Sequence, residues 1–304
     1  MLYEAADYAA SLEAFDKAMA LAPRWPDLHR CALNSWNALG DLATPRRRYE
    51  QAVADNPFDA VSRMALALLR GMEGCHDDAV REGREAVRLD PDSAGVRYVV
   101  CTVVAEAAIA TLRVDGQAAW ALFEEAIADH HALADMPNAN RADALARLGE
   151  FSVIMARVSG IANPPRPDAA IGEREAWLLG IAVAAFAEAA QLRPDWGQDG
   201  LDNAVDLVNS ATDPDVLRAY ALGLADAGAV DLATTALERA VDDYPGDAEV
   251  RYRLGWLWTR SAQDSPDALV RAKACFAEAM RIDPNNARYP PALEYVTALI
   301  EARR

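Results

Sequence analysis

Residues 26–59 read PDLHRCALNSWNALGDLATPRRRYEQAVADNPFD, and this stretch decides the fold. Leu28, Ala32, Leu33, Trp36 and Leu39 recur at three- and four-residue spacings, an apolar stripe along one side of a helix. Gly40-Asp41 breaks that helix. A second is expected from Thr44-Pro45, with Thr44 as N-cap and Pro45 in the first turn, where its missing N–H costs nothing. Its inner face is Tyr49, Ala52 and Val53. Asn56-Pro57 stops it, because a residue before proline is pushed out of the α region. The same description fits 60–93, where Gly74 separates two helices and Asp90-Pro91 ends the second.

Pro23, Pro57 and Pro91 stand thirty-four residues apart, with matching residues before them. Five before each is Ala18, Ala52 or Ala86. Eight before is Phe15, Tyr49 or Gly83, and twelve before is Ser11, Pro45 or Ala79. A fixed period of this length means stacked copies of one supersecondary unit. Elsewhere the pattern is looser. Ala182/Phe186/Ala189/Pro194 and Ala272/Phe276/Ala279/Pro284 repeat the second helix, and Ala119/Phe123/Ala126 repeat it without the proline. Leu254-Gly255 with Trp258, and Leu148-Gly149, mark first helices. Residues 214–247 carry Leu217, Tyr220-Ala221, Leu224, Gly228, Ala233, Leu237, Ala240 and Pro245.

These residues resemble the tetratricopeptide repeat, a helix–turn–helix unit of this period, and the resemblance covers most of the chain. It implies an all-α, right-handed superhelical solenoid of antiparallel helix pairs, irregular in the middle. Residues 1–93 are expected to hold regular repeats: a half repeat at 1–25, then 26–59 and 60–93. Residues 94–213 are irregular. About six extra residues near Thr111–Gly116 lengthen a first helix. A longer insertion passes through the stiff Asn163-Pro-Pro-Arg-Pro167 loop into a helix from about Ala169 to Gln191 through Trp177. Residues 197–213 read as one unpaired helix with Leu201, Val205 and Val208. Two further repeats follow at 214–287, with an insertion around Ser261–Pro266. Residues 288–304 read as a C-terminal capping helix carrying Leu293, Val296, Leu299 and Ile300. The helix at 1–22 lacks a first helix before it. Either the sequence starts inside a larger protein, which is the preferred expectation and would leave this helix frayed, or another chain covers the open end by self-association.

Hydrophobic residues make up 52% of the chain, enough for a continuous core. Scarce β-branched runs argue against sheets. The net charge of −17 is distributed along the chain and no stretch is basic. Nucleic acid as partner therefore lacks its electrostatic footprint, and an anionic membrane surface is disfavoured likewise. No apolar run is expected to reach a membrane span, and acidic Glu4, Asp7, Glu13 and Asp16 do not suit a signal peptide. Only Lys17 and Lys273 are lysines, which with abundant Ala and Asp points to a GC-rich bacterial genome. Cys31, Cys75, Cys101 and Cys275 show no paired spacing and read as reduced, mostly buried thiols of a cytoplasmic protein.

No catalytic motif stands out: there is no Gly-rich phosphate loop, G-x-S-x-G or H-E-x-x-H. Cys75-His76-Asp77-Asp78 has metal-binding residue types, but adjacent residues on a turn rarely converge on one ion. His29 reads as a surface or groove imidazole, and His130-His131 as a helix end favoured by the dipole. Glu124-Glu125, Asp242-Asp243 and Arg46-Arg47-Arg48 read as solvated helix surfaces. Neither cofactor nor metal is expected.

In the family, first helices line a concave face where peptides lie. In register, these positions hold Arg30, Asn34 and Asn37, then Met64 and Leu68, then Tyr98 and Thr102. Arg147 and Glu150 follow, then Arg218, and last Tyr252, Arg253, Trp256 and Arg260. Arginine beside aromatic residues is the composition of interaction hot spots. One family branch grips carboxylate termini. Arg30 and Asn34 resemble two of its groups, but Ala65, Gly95 and Val99 replace the others and argue against that clamp. The expected function is a non-catalytic scaffold binding a protein or peptide along the concave face. The alternatives are a regulatory or substrate-positioning region of a larger enzyme such as a transferase, and a freestanding enzyme in which Trp177 and the proline-rich loop lid a pocket.

Overall fold

The computed structural model describes residues 7–112, 114–161, 173–209, 214–263 and 267–303. Within them lie fifteen α-helices, one 3-10 turn and no strand. They form tetratricopeptide-like helical repeats. The chain divides into two compact units, Met1–Ala144 and Leu145–Arg304. The division falls inside a helix of the stretch 94–213 that the sequence marks as irregular.

The N-terminal unit holds α1 (Tyr8–Leu21), α2 (Pro26–Ala38), α3 (Ala43–Asp55), α4 (Ala60–Met72), α5 (His76–Leu89), α6 (Ala94–Thr111) and α7 (Gly116–Ala134). Helix α8 (Arg141–Ile161) begins there and continues into the second unit. The residue two after each periodic proline starts a helix. Asp59 accepts from the N–H of Val61 at 3.2 Å and Ser93 from that of Val96 at 3.3 Å. Each cap satisfies an N–H that the helix leaves without a partner. Gly40 and Gly74, also thirty-four residues apart, have φ of 74° and 77°, a left-handed conformation that Gly reaches without strain. The N-cap expected at Thr44 is corrected. Asp41 does the capping, accepting from the Thr44 N–H at 3.0 Å and its hydroxyl at 2.8 Å.

A second device repeats with the period. Six residues after the proline, a side chain reaches back and donates to the proline carbonyl. Arg63 donates to Pro57 at 2.9 Å, Arg97 to Pro91 at 3.4 Å and Arg251 to Pro245 at 3.1 Å. At the first repeat the donor is His29, whose Nε2 lies 2.9 Å from the Pro23 oxygen. A carbonyl only accepts, so Nε2 carries the proton and Nδ1 accepts from the Tyr49 hydroxyl at 2.9 Å. His29 is buried, which corrects its reading as a surface or groove side chain.

In the first unit α1 packs on α2, and α3 to α7 pack each on the next. Helix α4 lies against α2, α3, α5 and α6, and α2 also touches α6. Nine of the thirteen residues of α4 are therefore buried. Each fully buried Leu or Met contributes roughly 1.5–3 kcal/mol.

The C-terminal unit holds the rest of α8, then α9 (Glu173–Leu192), α10 (Pro194–Asn209), α11 (Pro214–Asp226), α12 (Val230–Asp243), α13 (Ala248–Arg260), a 3-10 turn at Ser261–Gln263, α14 (Ala268–Ile282) and α15 (Tyr289–Ala302). The Asn163–Pro167 loop and the residues around Pro266 lie outside the described residues. Small residues face large ones at the crossings. Gly255 lies over the Phe276 ring, and Gly149 and Gly200 both lie over Phe186. Helix α10 is not unpaired, which corrects that reading: it packs on α9, with Gly197 against the backbone of Ala190. Helix α9 also carries α11, at a crossing where Gly180 meets the Tyr220 carbonyl and Gly223 that of Trp177. Trp177 packs with Ala176, Val216 and Ala219 and donates from Nε1 to Asp226 at 3.0 Å. It joins α9 to α11.

Two helix segments, Ala94–Thr111 and Glu175–Leu192, are long and apolar enough to cross a membrane. This corrects the expectation that no run reaches that length. Half or more of each lies buried against neighbouring helices.

Candidate functional site

The first-helix positions divide between the two units. In the N-terminal unit the expected apolar floor is not a binding surface. Met64 is fully buried and Leu68 is 8% exposed, so both are corrected from groove to core. The cause is the meeting of α2 with α6 across α4. Pro26 lies so close to Gly95 that a Cβ there would sit 2.9 Å from it. The Arg30 guanidinium stands over the Tyr98 ring at 5.6 Å from its centroid. Arg30 also donates to Asp27, from Nη2 at 3.1 Å and Nε at 3.3 Å. Burial opposes the charge of Arg30, but neighbouring Cys31, Asp27 and Tyr98 together hold its pKa above the usual value. Asn34 is half-buried, Asn37 is exposed, and Thr102 donates to the Tyr98 carbonyl at 3.2 Å.

Beside this closure a cavity of about 250 Å³ remains. It is lined by Asp27 and Arg30 of α2, Ala94, Gly95 and Tyr98 of α6, Leu133 of α7, Asn138, Ala139 and Asn140 of the next turn, and Asp143 of α8. Asn140 accepts from the Asp143 N–H at 3.3 Å, which fixes the start of α8. Sequence reasoning found Arg30 and Tyr98 but missed Asp27 and the asparagine turn. The two asparagines in Asn138-Ala-Asn140 were the available signal.

In the C-terminal unit, Arg147 and Glu150 are exposed on α8, 3.6 Å apart. Arg218 is held by Asp247 and Asp215, and so acts as a tie between α11 and the start of α13. Tyr252 and Trp256 sit one turn apart on α13, half-buried against Phe276. Trp256 lies 5.8 Å from the half-exposed ring of Tyr295 on α15. Arg288 stands over Tyr252 at 5.3 Å and pairs with Glu249 at 2.6 Å, and Glu249 accepts from Arg253 at 2.8 Å. Arg260 is exposed at the end of α13. Glu249, Arg288 and Tyr289 border an open groove of about 840 Å³ along the turns 243–249 and 282–289. Tyr289, Arg288 and Tyr295 belong to this surface, although the sequence marked α15 only as a cap.

The remaining candidates have structural roles. His130 is buried inside α7, which continues to Ala134, and its Nδ1 donates to the Ala126 carbonyl at 2.7 Å. His131, its neighbour, lies in the last turn of α7, so the helix-end reading holds for His131 and is corrected for His130. Cys75 is exposed at the start of α5, and Cys31 and Cys275 are half-buried, so only Cys101 matches the expectation of buried thiols. Burial pushes the Cys275 thiol up to about 11. Among the described residues no three His, Cys, Asp or Glu side chains gather as metal ligands would. Arg46 pairs with Glu73, Arg48 with Asp16 and Arg84 with Glu125.

No family model matches the chain, and no curated protein does. Solved structures are similar at low identity. One is YrrB, described as a TPR protein with an unusual peptide-binding site. It is 15% identical with a TM-score of 0.31, over 82% of this chain and 97% of that one. Another is the C-terminal part of a TPR repeat-containing protein from Cytophaga hutchinsonii, 14% identical with a TM-score of 0.35, over 96% of each chain. A third is a thermophilic TPR protein of Thermus thermophilus, 17% identical with a TM-score of 0.25, over 94% of this chain and 98% of that one.

Proposed function

We propose that this tetratricopeptide-like repeat protein is a protein-interaction scaffold that binds a peptide or protein segment without chemistry of its own, in the cytoplasm. The observation that carries the reading is the aromatic–arginine surface of the C-terminal unit. Tyr252, Trp256 and Tyr295 leave ring area open, Arg288 stands over Tyr252, and Arg288 in turn borders an open groove of about 840 Å³. Rings held by neighbouring rings lose little conformational freedom on binding, which is why such residues anchor interfaces. The peptide-binding site described for YrrB is a function of the same kind.

The test compares wild type with Trp256→Ala, Tyr295→Ala and Asn34→Ala, using peptides selected from a random library against the full chain. Loss of an anchor ring is expected to weaken a selected peptide by about thirtyfold, the scale of a 2 kcal/mol hot spot. Tyr295 is half-exposed, so its variant separates binding from folding, and circular dichroism confirms that each variant is folded. Unchanged affinities across all three variants would remove these residues from the binding surface.

A further inference from the structure

Contacts between α13 and α15 come in the same order along both helices. Arg288 pairs with Glu249 at the start, Trp256 meets Tyr295 at 5.8 Å in the middle, and Arg303 donates to the Ala262 carbonyl at 2.7 Å just past the end of α13. The two helices therefore run side by side in one direction. Tyr252, Trp256 and Arg260 follow one another at four-residue spacing along one side of α13. We infer that this strip binds an acidic segment in a fixed register, with an apolar side chain on the Trp256–Tyr295 ring pair and a carboxylate two residues away on Arg260. The inference rests on the scaffold reading and specifies the charge and spacing of what the ring surface takes.

The two ends of the strip differ in charge. At the start, Glu249 already serves both Arg253 at 2.8 Å and Arg288 at 2.6 Å, so those three groups satisfy one another. At the end, Arg260 is exposed and has no hydrogen bond or ion pair among the described residues. Arg303 is exposed beside it, with Nη1 on the Ala262 carbonyl and no ion pair among the described residues. A helix end favours a cation, but a guanidinium carries five N–H donors, which the dipole does not satisfy. Helix α13 has no carboxylate besides Glu249. On α15, Glu294 and Glu301 lie across the helix from buried Ala292 and Val296, while the flank of Tyr295 continues through exposed Ala298 and Ala302. The spacing fits as well. Four helical residues rise about 6 Å, and side chains two apart on an extended segment lie about 6.6 Å from each other on one side. A segment laid along α13 thus sets one residue on Trp256 and the next but one on Arg260. The net charge of −17 repels acids at long range, but physiological salt screens exposed charges beyond about 8 Å, so direct contact with the guanidinium decides.

The experiment titrates blocked heptapeptides with a central Leu into the full-length chain, followed by fluorescence anisotropy. They carry Glu, Gln or Arg two residues from the Leu, after it in one series and before it in the other, and a further peptide of each series carries Glu next to the Leu. In one series the spaced Glu peptide is expected to bind about fivefold more tightly than its three counterparts, the upper range for an exposed ion pair. Arg260→Gln with Arg303→Gln should make the Glu and Gln peptides equal without weakening the Gln peptide. Tyr295→Ala should weaken both. The control Arg281→Gln, an exposed arginine of α14 paired with Glu278, should leave the preference intact. Equal binding of Glu and Gln peptides to the wild type would overturn the inference, as would a Glu preference that survives the double variant. Tightest binding by an Arg peptide would show that the surface follows the net charge of the chain, and would overturn it too. Library-selected peptides that need Trp256 and Tyr295 but show no acid preference would leave the scaffold reading standing and remove this one. Failure of every peptide to bind, selected ones included, would remove both.

Discussion

At residue scale, one side chain makes the N-terminal repeats sensitive to acid. His29 fills the place that arginine holds at Arg63, Arg97 and Arg251. Arginine keeps its proton at any ordinary pH, while histidine titrates near neutrality. Burial pushes the His29 pKa below 6.5. The bond to Pro23 and nearby Asp59 pull the other way, and Arg48 adds to the depression. With its folded pKa depressed, the unfolded chain binds the proton first. The stability that neutral His29 supplies is complete above pH 6.5 and is lost as pH falls through the folded value. The melting temperature is therefore expected to drop between pH 7.5 and 5. His29→Gln should flatten that dependence, and an unchanged slope would assign it elsewhere. His29→Leu should cost about 1–3 kcal/mol at pH 8, because the Tyr49 hydroxyl is left buried without a partner. Burial already holds that phenol up at about 12.

At the scale of elements, glycines decide where helices touch. At the α9–α11 crossing a Cβ on Gly180 or Gly223 would strike backbone, which cannot swing aside. Gly223→Ala is expected to cost at least about 3 kcal/mol, the upper range for overpacking, read as a fall in denaturation midpoint. Gly71 in α4 meets nothing within 4 Å, so Gly71→Ala should stabilise by up to about 1 kcal/mol. Gly74 has equal space but a φ of 77°, and Gly74→Ala should cost about 1–2 kcal/mol for that reason alone. Most helices were legible in the sequence because apolar spacing and Asn-Pro or Asp-Pro stops are local signals. The partner of α10 was not legible, because Gly197 meets the Ala190 backbone and Gly200 the Phe186 ring with no apolar side chain of their own to mark the contact. Thr44 lost its cap role to Asp41, three residues earlier, where a carboxylate takes both the Thr44 N–H and its hydroxyl.

At the scale of the whole chain, the candidate surface was legible only in part. Register along the first helices named Tyr252, Trp256, Arg30 and Tyr98, and the structure sets the first two rings side by side and Arg30 over Tyr98. It put Met64 and Leu68 on an open surface, because the closure of α2 onto α6 is a contact between residues such as Pro26 and Gly95, almost seventy positions apart. No periodicity records that. The same closure leaves a small cavity bordered by the asparagine turn after α7.

The bond from each sixth residue back to its proline joins a turn to the helix that directly follows it, so the linkage is complete within a few consecutive residues. That makes the chain divisible at a natural seam. Excising residues 60–93 would splice Asp59 to Ala94 and place Arg97 six positions after Pro57, with Asp59 ready to cap α6. Helices α2 and α6, already in contact, would become immediate neighbours. The shortened chain is expected to melt cooperatively with its helical signal intact. A deletion of thirty-three or thirty-five residues, which misaligns the clasp and rotates every later helix, should not.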